Sequence, residues 1–138
     1  VQHMDSLGLV GPDFVAAHAI WLDDDDLKIL RDRGGSLAHN PGSNMRLGNG
    51  MFRFRRARDV GVNVGLGTDG ANCSDNQNMY EAMRYASMLS KVQTPDPRPW
   101  AGVEDIYQAS RCRIAGCCRS ISRSSRWKPK PRANGWKR

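Results

Sequence analysis

Three short apolar runs, each ending in a polar side chain that can bind a metal ion, constrain the fold of this chain more than any other feature. They occupy residues 14–18, 36–39 and 62–69 and end in His18, His39 and Asp69. Each run has the length of a buried strand, and a helix-like segment separates it from the next. Repeated strand–helix units place the carboxyl ends of their strands on one edge of a parallel sheet. We therefore predict that these three side chains converge, although 21 and 30 residues separate them in sequence.

The segments around these runs carry start and stop signals of helices. Asp23 is an N-cap candidate for a helix over residues 23–33, and Gly34 ends it. The acidic run at its start is predicted to interact with the helix dipole rather than to bind calcium. We predict a connector at 1–13, strands at 14–22, 36–39 and 62–69, loops at 42–50 and 70–78, and further helices at 51–60, 79–91 and 103–109.

The distribution of charge divides the chain at residue 110. Residues 111–138 hold ten Lys or Arg and no acidic residue, whereas the preceding residues hold 11 basic and 14 acidic ones, so the net charge of +7 belongs to the tail. We expect a folded unit over 1–110 and a basic, disordered tail over 111–138. The tail fits either a nucleic-acid-binding arm or a segment translated from a shifted reading frame.

The cysteines and the hydropathy bear on location. Cys73 follows the third apolar run, and the other three cysteines lie in the tail without the paired spacing of a zinc site. We expect reduced thiols in a cytoplasmic protein. No apolar stretch approaches the roughly 20 residues that cross a bilayer, so no membrane partner is predicted.

The order of the motifs resembles the metal-dependent amidohydrolase superfamily, in its deaminase and chlorohydrolase branch. The motifs are Ala17-His18, then His39-Asn40-Pro41-x-Ser43-Asn44, then Gly67-Thr68-Asp69-Gly70. That branch includes guanine deaminase, adenosylhomocysteine/methylthioadenosine deaminase and the triazine hydrolases. The resemblance covers residues 1–110 and implies the α/β class, as a fragment of a (β/α)8 TIM-type barrel with about its last three βα units. The three strands would be the sixth, seventh and eighth of the barrel.

The resemblance also implies roles for individual residues. Asp69 would bind the metal ion and accept a proton from its water, and His18 would stabilise the attacking water and the developing charge. His39 would shape the pocket wall, although a core role fits it equally well. The other candidates for substrate contact are Asn40, Ser43, Asn44 and Cys73. For Ser43 and Asn44 we favour bracing of their loop through side-chain-to-backbone hydrogen bonds.

The implied reaction is the hydrolytic deamination, or dechlorination, of a nitrogen heterocycle such as a purine. A divalent metal ion, with zinc first and iron or manganese as alternatives, would activate the water. The family's His-x-His and His-x-x-Glu motifs have no counterpart here. We therefore expect a truncated chain that is inactive alone and needs the missing N-terminal barrel strands as partners.

Two other functions compete with this interpretation. The basic residues of the tail, with Trp127 and Trp136, could bind phosphates and stack on bases, although we regard nucleic acid as an unlikely partner. Alternatively, the first 110 residues could form a small α/β domain with a metal-free role.

Overall fold

A computed structural model of the chain describes residues 1–111. Three strands alternate with helices along the chain. The strands are β1 (Val15–Ala17), β2 (Ser36–His39) and β3 (Asn63–Leu66). The helices are α1 (Gln2–Ser6), α2 (Asp24–Arg33), α3 (Pro41–Arg46), α4 (Phe54–Val60), α5 (Ala71–Ser74), α6 (Met79–Val92) and α7 (Val103–Arg111).

The strands form one parallel sheet in the order β1-β2-β3. Ala17 pairs with Ala38, and His39 pairs with Leu66, so the carboxyl ends of all three strands lie at the same edge. The ladder extends just past the strands, because the His18 N–H donates to Ala38 O at 2.9 Å and the Gly67 N–H donates to His39 O at 2.9 Å. This arrangement is the α/β architecture with a parallel sheet that the sequence predicts.

Helix α2 begins as its N-cap predicts. The Asp23 side chain accepts from the Asp26 N–H at 2.8 Å, and the two residues form a reciprocal capping box. Gly34 ends the helix in the left-handed conformation, with φ of 76°. The first acidic residues of the run therefore serve to begin a helix, as expected.

The first strand is shorter than predicted. It ends at Ala17 rather than continuing to residue 22, because His18 and Ala19 have φ of 63° and 51°. A positive φ is incompatible with extended backbone, and residue types other than glycine rarely adopt it. The strand predicted at 62–69 is likewise restricted to β3.

Two predicted loops contain short helices. Pro41, which we interpreted as the end of a strand, is also the first residue of α3, where its missing N–H costs no hydrogen bond. Helix α5 lies within the predicted loop at 70–78, and α1 lies within the predicted connector at 1–13. The helix predicted at 51–60 begins only at Phe54.

The apolar core lies between the sheet and the helices that cover it. Leu37 of β2 and Val64 of β3 are fully buried, and they belong to one cluster with Leu30 of α2 and Phe54 of α4. Ala109 of α7 completes the cluster on the side of β3. This packing fixes the sheet from behind and leaves the carboxyl edge of the strands to carry polar groups.

Two further predictions concern the basic tail and membrane-spanning segments. The basic tail predicted at 111–138 lies outside the described residues except for Arg111, together with Cys112, Cys117 and Cys118. Among the described residues, no helix combines the length and the apolar character that a membrane span needs.

Candidate functional site

The structure brings His18 and Asp69 together at the carboxyl edge of the sheet. His18 Nε2 lies 3.7 Å from Asp69 Oδ2, and the two side chains are 34% and 27% exposed. They follow β1 and β3, the outer strands, so the pair spans the end of the central strand β2. Both residues have positive φ, at 63° and 62°, which turns the chain sharply where each strand ends. Strained backbone of this kind is concentrated at functional sites.

In each member of the pair, one polar atom is hydrogen-bonded within residues 1–111 and the other faces its counterpart. Asp69 Oδ1 accepts from the Gly70 N–H at 2.7 Å. His18 Nδ1 is hydrogen-bonded to Asn44 Oδ1 at 2.7 Å. Asp69 Oδ2 and His18 Nε2 therefore face each other with their other ends fixed. An oxygen and a nitrogen in this arrangement can share a cation or a water molecule.

The pKa of the Asp69 carboxyl is lowered, first by the Ser43 hydroxyl and then by the Gly70 N–H. Because Ser43 Oγ forms no hydrogen bond of good geometry with any described residue, its effect is that of a nearby dipole. Asp69 is consequently ionised at neutral pH and can bind a metal ion or accept a proton.

His39 is placed in the core beneath the pair. It is 1% exposed, and its ring lies 4.9 Å from that of Phe52 and 6.1 Å from that of Phe54. Burial, with a smaller contribution from the charge of His18, lowers the pKa of His39 to about 3. The imidazole is therefore neutral at physiological pH.

The predicted substrate contacts of the His-Asn-Pro-x-Ser-Asn segment are also buried. Asn40, Ser43 and Asn44 are 7%, 0% and 1% exposed. Asn40 Oδ1 packs against the α-carbon of Gly67, where a β-carbon would clash with it. Of these side chains, Asn44 contacts His18 and Ser43 acts on Asp69, whereas Asn40 packs against the chain just after β3.

The bracing that we favoured for Ser43 and Asn44 differs from what the structure shows. Ser43 Oγ and Asn44 Nδ2 form no hydrogen bond with any described residue, and Asn44 Oδ1 bonds to the imidazole of His18 rather than to loop backbone. The reason is the helix α3, whose own backbone hydrogen bonds order the segment. The sequence carries no signal for this contact, because the contact joins residues 26 positions apart.

Cys73 lies in α5, four residues after Asp69, and is half-buried. Its thiol contacts Asn72 Oδ1 at 3.6 Å.

A cleft of about 410 Å³ opens between the N-terminal ends of α2 and α4. Ala19 and Ile20, which follow His18, line this cleft, but neither His18 nor Asp69 does.

The donor set fits a divalent metal ion in part. A nitrogen of imidazole and an oxygen of an ionised carboxylate are ligands of zinc, and also of iron and manganese. Catalytic zinc takes three protein ligands and an open position. Among residues 1–111, no third His, Cys, Asp or Glu joins the pair to form such a group. Residues 1–111 thus supply two donors to a site that needs at least one more.

Comparisons with known proteins identify similar sequences and structures. The model of the amidohydrolase family matches residues 1–119. The 5-methylthioadenosine/S-adenosylhomocysteine deaminase of Thermococcus kodakarensis is 45% identical over 94 residues, which are 68% of this chain and 22% of the relative. The 5′-deoxyadenosine deaminase of Methanothermobacter thermautotrophicus is 44% identical over 97 residues, 70% of this chain and 23% of the relative.

A solved structure provides a third comparison. The adenosine deaminase of Xanthomonas campestris with bound zinc superposes with a TM-score of 0.73 at 28% identity, over 78% of this chain and 24% of that one. This chain thus spans less than a quarter of the length of each of these proteins. All three are deaminases, which lends no support to the nucleic-acid alternative.

Proposed function

This chain belongs to the amidohydrolase family, and we propose that it supplies His18 and Asp69 to the active site of a metal-dependent deaminase. The proposed substrate class is a nitrogen heterocycle, with the amino group of a purine as the leaving group. One observation carries the proposal: His18 Nε2 and Asp69 Oδ2 face each other at 3.7 Å, at the carboxyl edge of a parallel sheet. In barrel enzymes that edge holds the active site.

We further propose that the sheet forms the last three strands of a (β/α)8 barrel. The outer edges of β1 and β3 have no neighbouring strand among the described residues, whereas a closed barrel has no free edges. The relatives are about four times longer than the segment they share with this chain. Strands from outside that segment would supply the remaining metal ligands, and the described chain alone would be inactive.

A bound divalent metal ion, zinc by preference, would supply a water molecule whose pKa is brought down to about 7. Asp69 Oδ2, ionised and oriented by the Gly70 N–H on Oδ1, would take the proton of the attacking water and deliver it to the leaving amine. His18 Nε2 would contact the attacking oxygen. The net reaction adds one water molecule at the ring carbon and releases ammonia.

The remaining candidates would act around this pair. The buried His39 and Asn40 would hold the carboxyl ends of β2 and β3 in place, and Ser43 would keep Asp69 ionised. Cys73 would line the substrate pocket, since α5 follows Asp69 directly and loops after barrel strands form that pocket.

A chimera tests the proposal directly. Residues 1–111 of this chain would replace the matching segment of the T. kodakarensis relative, and the purified protein would be assayed for zinc content and for deamination of 5-methylthioadenosine. We expect activity in the chimera, and a loss of kcat of about 10²–10⁴-fold on His18→Gln or Asp69→Asn. Asp75→Asn, an exposed carboxylate on the same segment, is the matched control and should retain full activity.

Two results would contradict the proposal. The first is a chimera with the melting temperature and zinc content of the relative but no deaminase activity. The second is an Asp69→Asn chimera that keeps the kcat of its parent.

A further inference from the structure

We propose that Asn44 is a positioning residue that fixes the tautomer of His18. Its side-chain carbonyl would hold the imidazole with the proton on Nδ1, so that Nε2 presents a lone pair towards Asp69. The inference deepens the proposed function and rests on it for its catalytic meaning, but the tautomer itself is a property of the chain without metal or substrate.

The hydrogen bond between the two side chains carries the inference. Asn44 Oδ1 lies 2.7 Å from His18 Nδ1. A carbonyl oxygen can only accept, so the nitrogen that faces it must carry the proton. In a neutral imidazole the other nitrogen, Nε2, is then unprotonated.

Asn44 can fix the tautomer of His18 because it is buried and its backbone is held by hydrogen bonds. It is 1% exposed and lies in α3, which begins directly after β2. Its N–H donates to Asn40 O at 3.0 Å, and its O accepts from the Asn49 N–H at 3.0 Å. Since Nδ2 has no partner among the described residues, the bond to His18 is the side chain's only hydrogen bond there.

The hydrogen bond at Nδ1 determines what the other ring nitrogen, Nε2, presents to Asp69. Nε2 faces Asp69 Oδ2 at 3.7 Å, and the lowered pKa of Asp69 makes that oxygen a charged acceptor. Two acceptors that face each other repel unless an electropositive group lies between them. The Asn44 contact therefore prepares the gap for the O–H of a water molecule or for a cation.

This role differs from the one that the family resemblance implies for His18. A neutral imidazole can donate to the developing negative charge only with its proton on Nε2, and the Asn44 contact places that proton on Nδ1 instead. In the tautomer that we propose, Nε2 accepts a hydrogen bond from the attacking water.

Nitrogen NMR of the metal-free, 138-residue chain, with isotope-labelled histidine, tests the inference. At a pH where the imidazole is neutral, the tautomer follows from which ring nitrogen has the shift of an unprotonated atom. The His18 signals are assigned by their loss in His18→Gln, which separates them from those of His3 and His39. We expect protonated Nδ1 and unprotonated Nε2 in the wild type.

Variants at the contact sharpen the result. Asn44→Asp keeps an acceptor and should retain the tautomer, whereas Asn44→Ala removes it and should shift His18 towards the Nε2–H form of an unconstrained side chain. Asn49→Ala, an exposed amide in the neighbouring loop, is the matched control. In the active chimera, Asn44→Ala should lower kcat by about 10–100-fold, the usual effect of losing an orienting partner.

A wild-type His18 with its proton on Nε2 would overturn the inference, even if Asn44→Ala fails to fold. An unchanged tautomer in a folded Asn44→Ala variant would overturn it as well. Failure of the proposed function is a separate outcome, because an inactive chimera leaves the tautomer of the free chain as measured. Conversely, an active chimera combined with the Nε2–H tautomer would refute the positioning role alone.

Discussion

Lowering the pH from 7 to 5 is expected to reduce the free energy of unfolding by about 2 kcal/mol through one side chain, His39. The imidazole is 1% exposed between two phenylalanine rings, and its Nδ1 has no hydrogen-bond partner among the described residues. Burial, aided by the charge of His18, lowers its pKa from 6.5 to about 3. A charged imidazole at this position would lose its hydration without gaining a partner.

The sign and the size of the effect follow from proton binding in the two states. The unfolded chain binds the proton below about pH 6.5, but the folded chain binds it only below about pH 3, so stability is complete above 6.5 and falls between the two values. At about 1.4 kcal/mol per pH unit, the loss is about 2 kcal/mol at pH 5 and about 5 kcal/mol once both states are protonated. Carboxylates with lowered pKa, such as Asp69, add to the loss only below about pH 4.

Urea unfolding followed by tryptophan fluorescence, at pH 7 and pH 5, measures the difference. His39→Leu, which removes the buried imidazole, should lose almost no stability between the two conditions. His3→Gln, which removes an exposed imidazole instead, should retain the loss of the wild type. A His39→Leu variant with the same pH dependence as the wild type would refute the reasoning, as would a wild type whose stability is equal at both pH values.

Two further predictions concern stability at neutral pH, measured by the same unfolding experiment. Gly67→Ala should destabilise the fold by about 1–3 kcal/mol, because its β-carbon would clash with the buried Asn40 side chain; Gly11→Ala, with no atom in reach of the new methyl, should have little effect. Asp23→Ala should cost about 1 kcal/mol by removing the N-cap of α2, whereas Asp13→Ala, an exposed acid outside any helix, should stay within about 0.5 kcal/mol. Equal losses in a variant and its control would contradict either explanation.

The features that the sequence predicts well are those with local physical signals. Residues 36–39 form β2 with the predicted bounds, and Asp23 and Gly34 bound α2 through their own side chain and backbone preferences. The resemblance to amidohydrolases, which rests on the order of three short motifs, is confirmed by the family match over residues 1–119. The parallel topology predicts the convergence of His18 and Asp69, but the predicted convergence of His39 with them is wrong, because the His39 side chain is buried in the core.

The features that the sequence does not predict depend on tertiary contacts. Ala19 has φ of 51°, although alanine has no intrinsic preference for that region, so the end of β1 is determined by packing rather than by residue type. Pro41 fits both the end of a strand and the first turn of a helix, and only the chain that follows decides between them. The hydrogen bond from His18 Nδ1 to Asn44 Oδ1 joins the end of β1 to helix α3, and these two segments are neighbours only in the folded sheet.

The left-handed backbone at His18 and Asp69 has a consequence for how variation at these positions would be selected. Glycine would relieve about 1 kcal/mol of strain at either position, yet it would delete the imidazole or the carboxylate. In a saturation-mutagenesis library of the chimera, scored separately for cellular abundance and for turnover, glycine at 18 and 69 should rank high on the first scale and at the floor of the second. Selection would then retain a strained backbone at His18 and Asp69 because turnover requires their side chains.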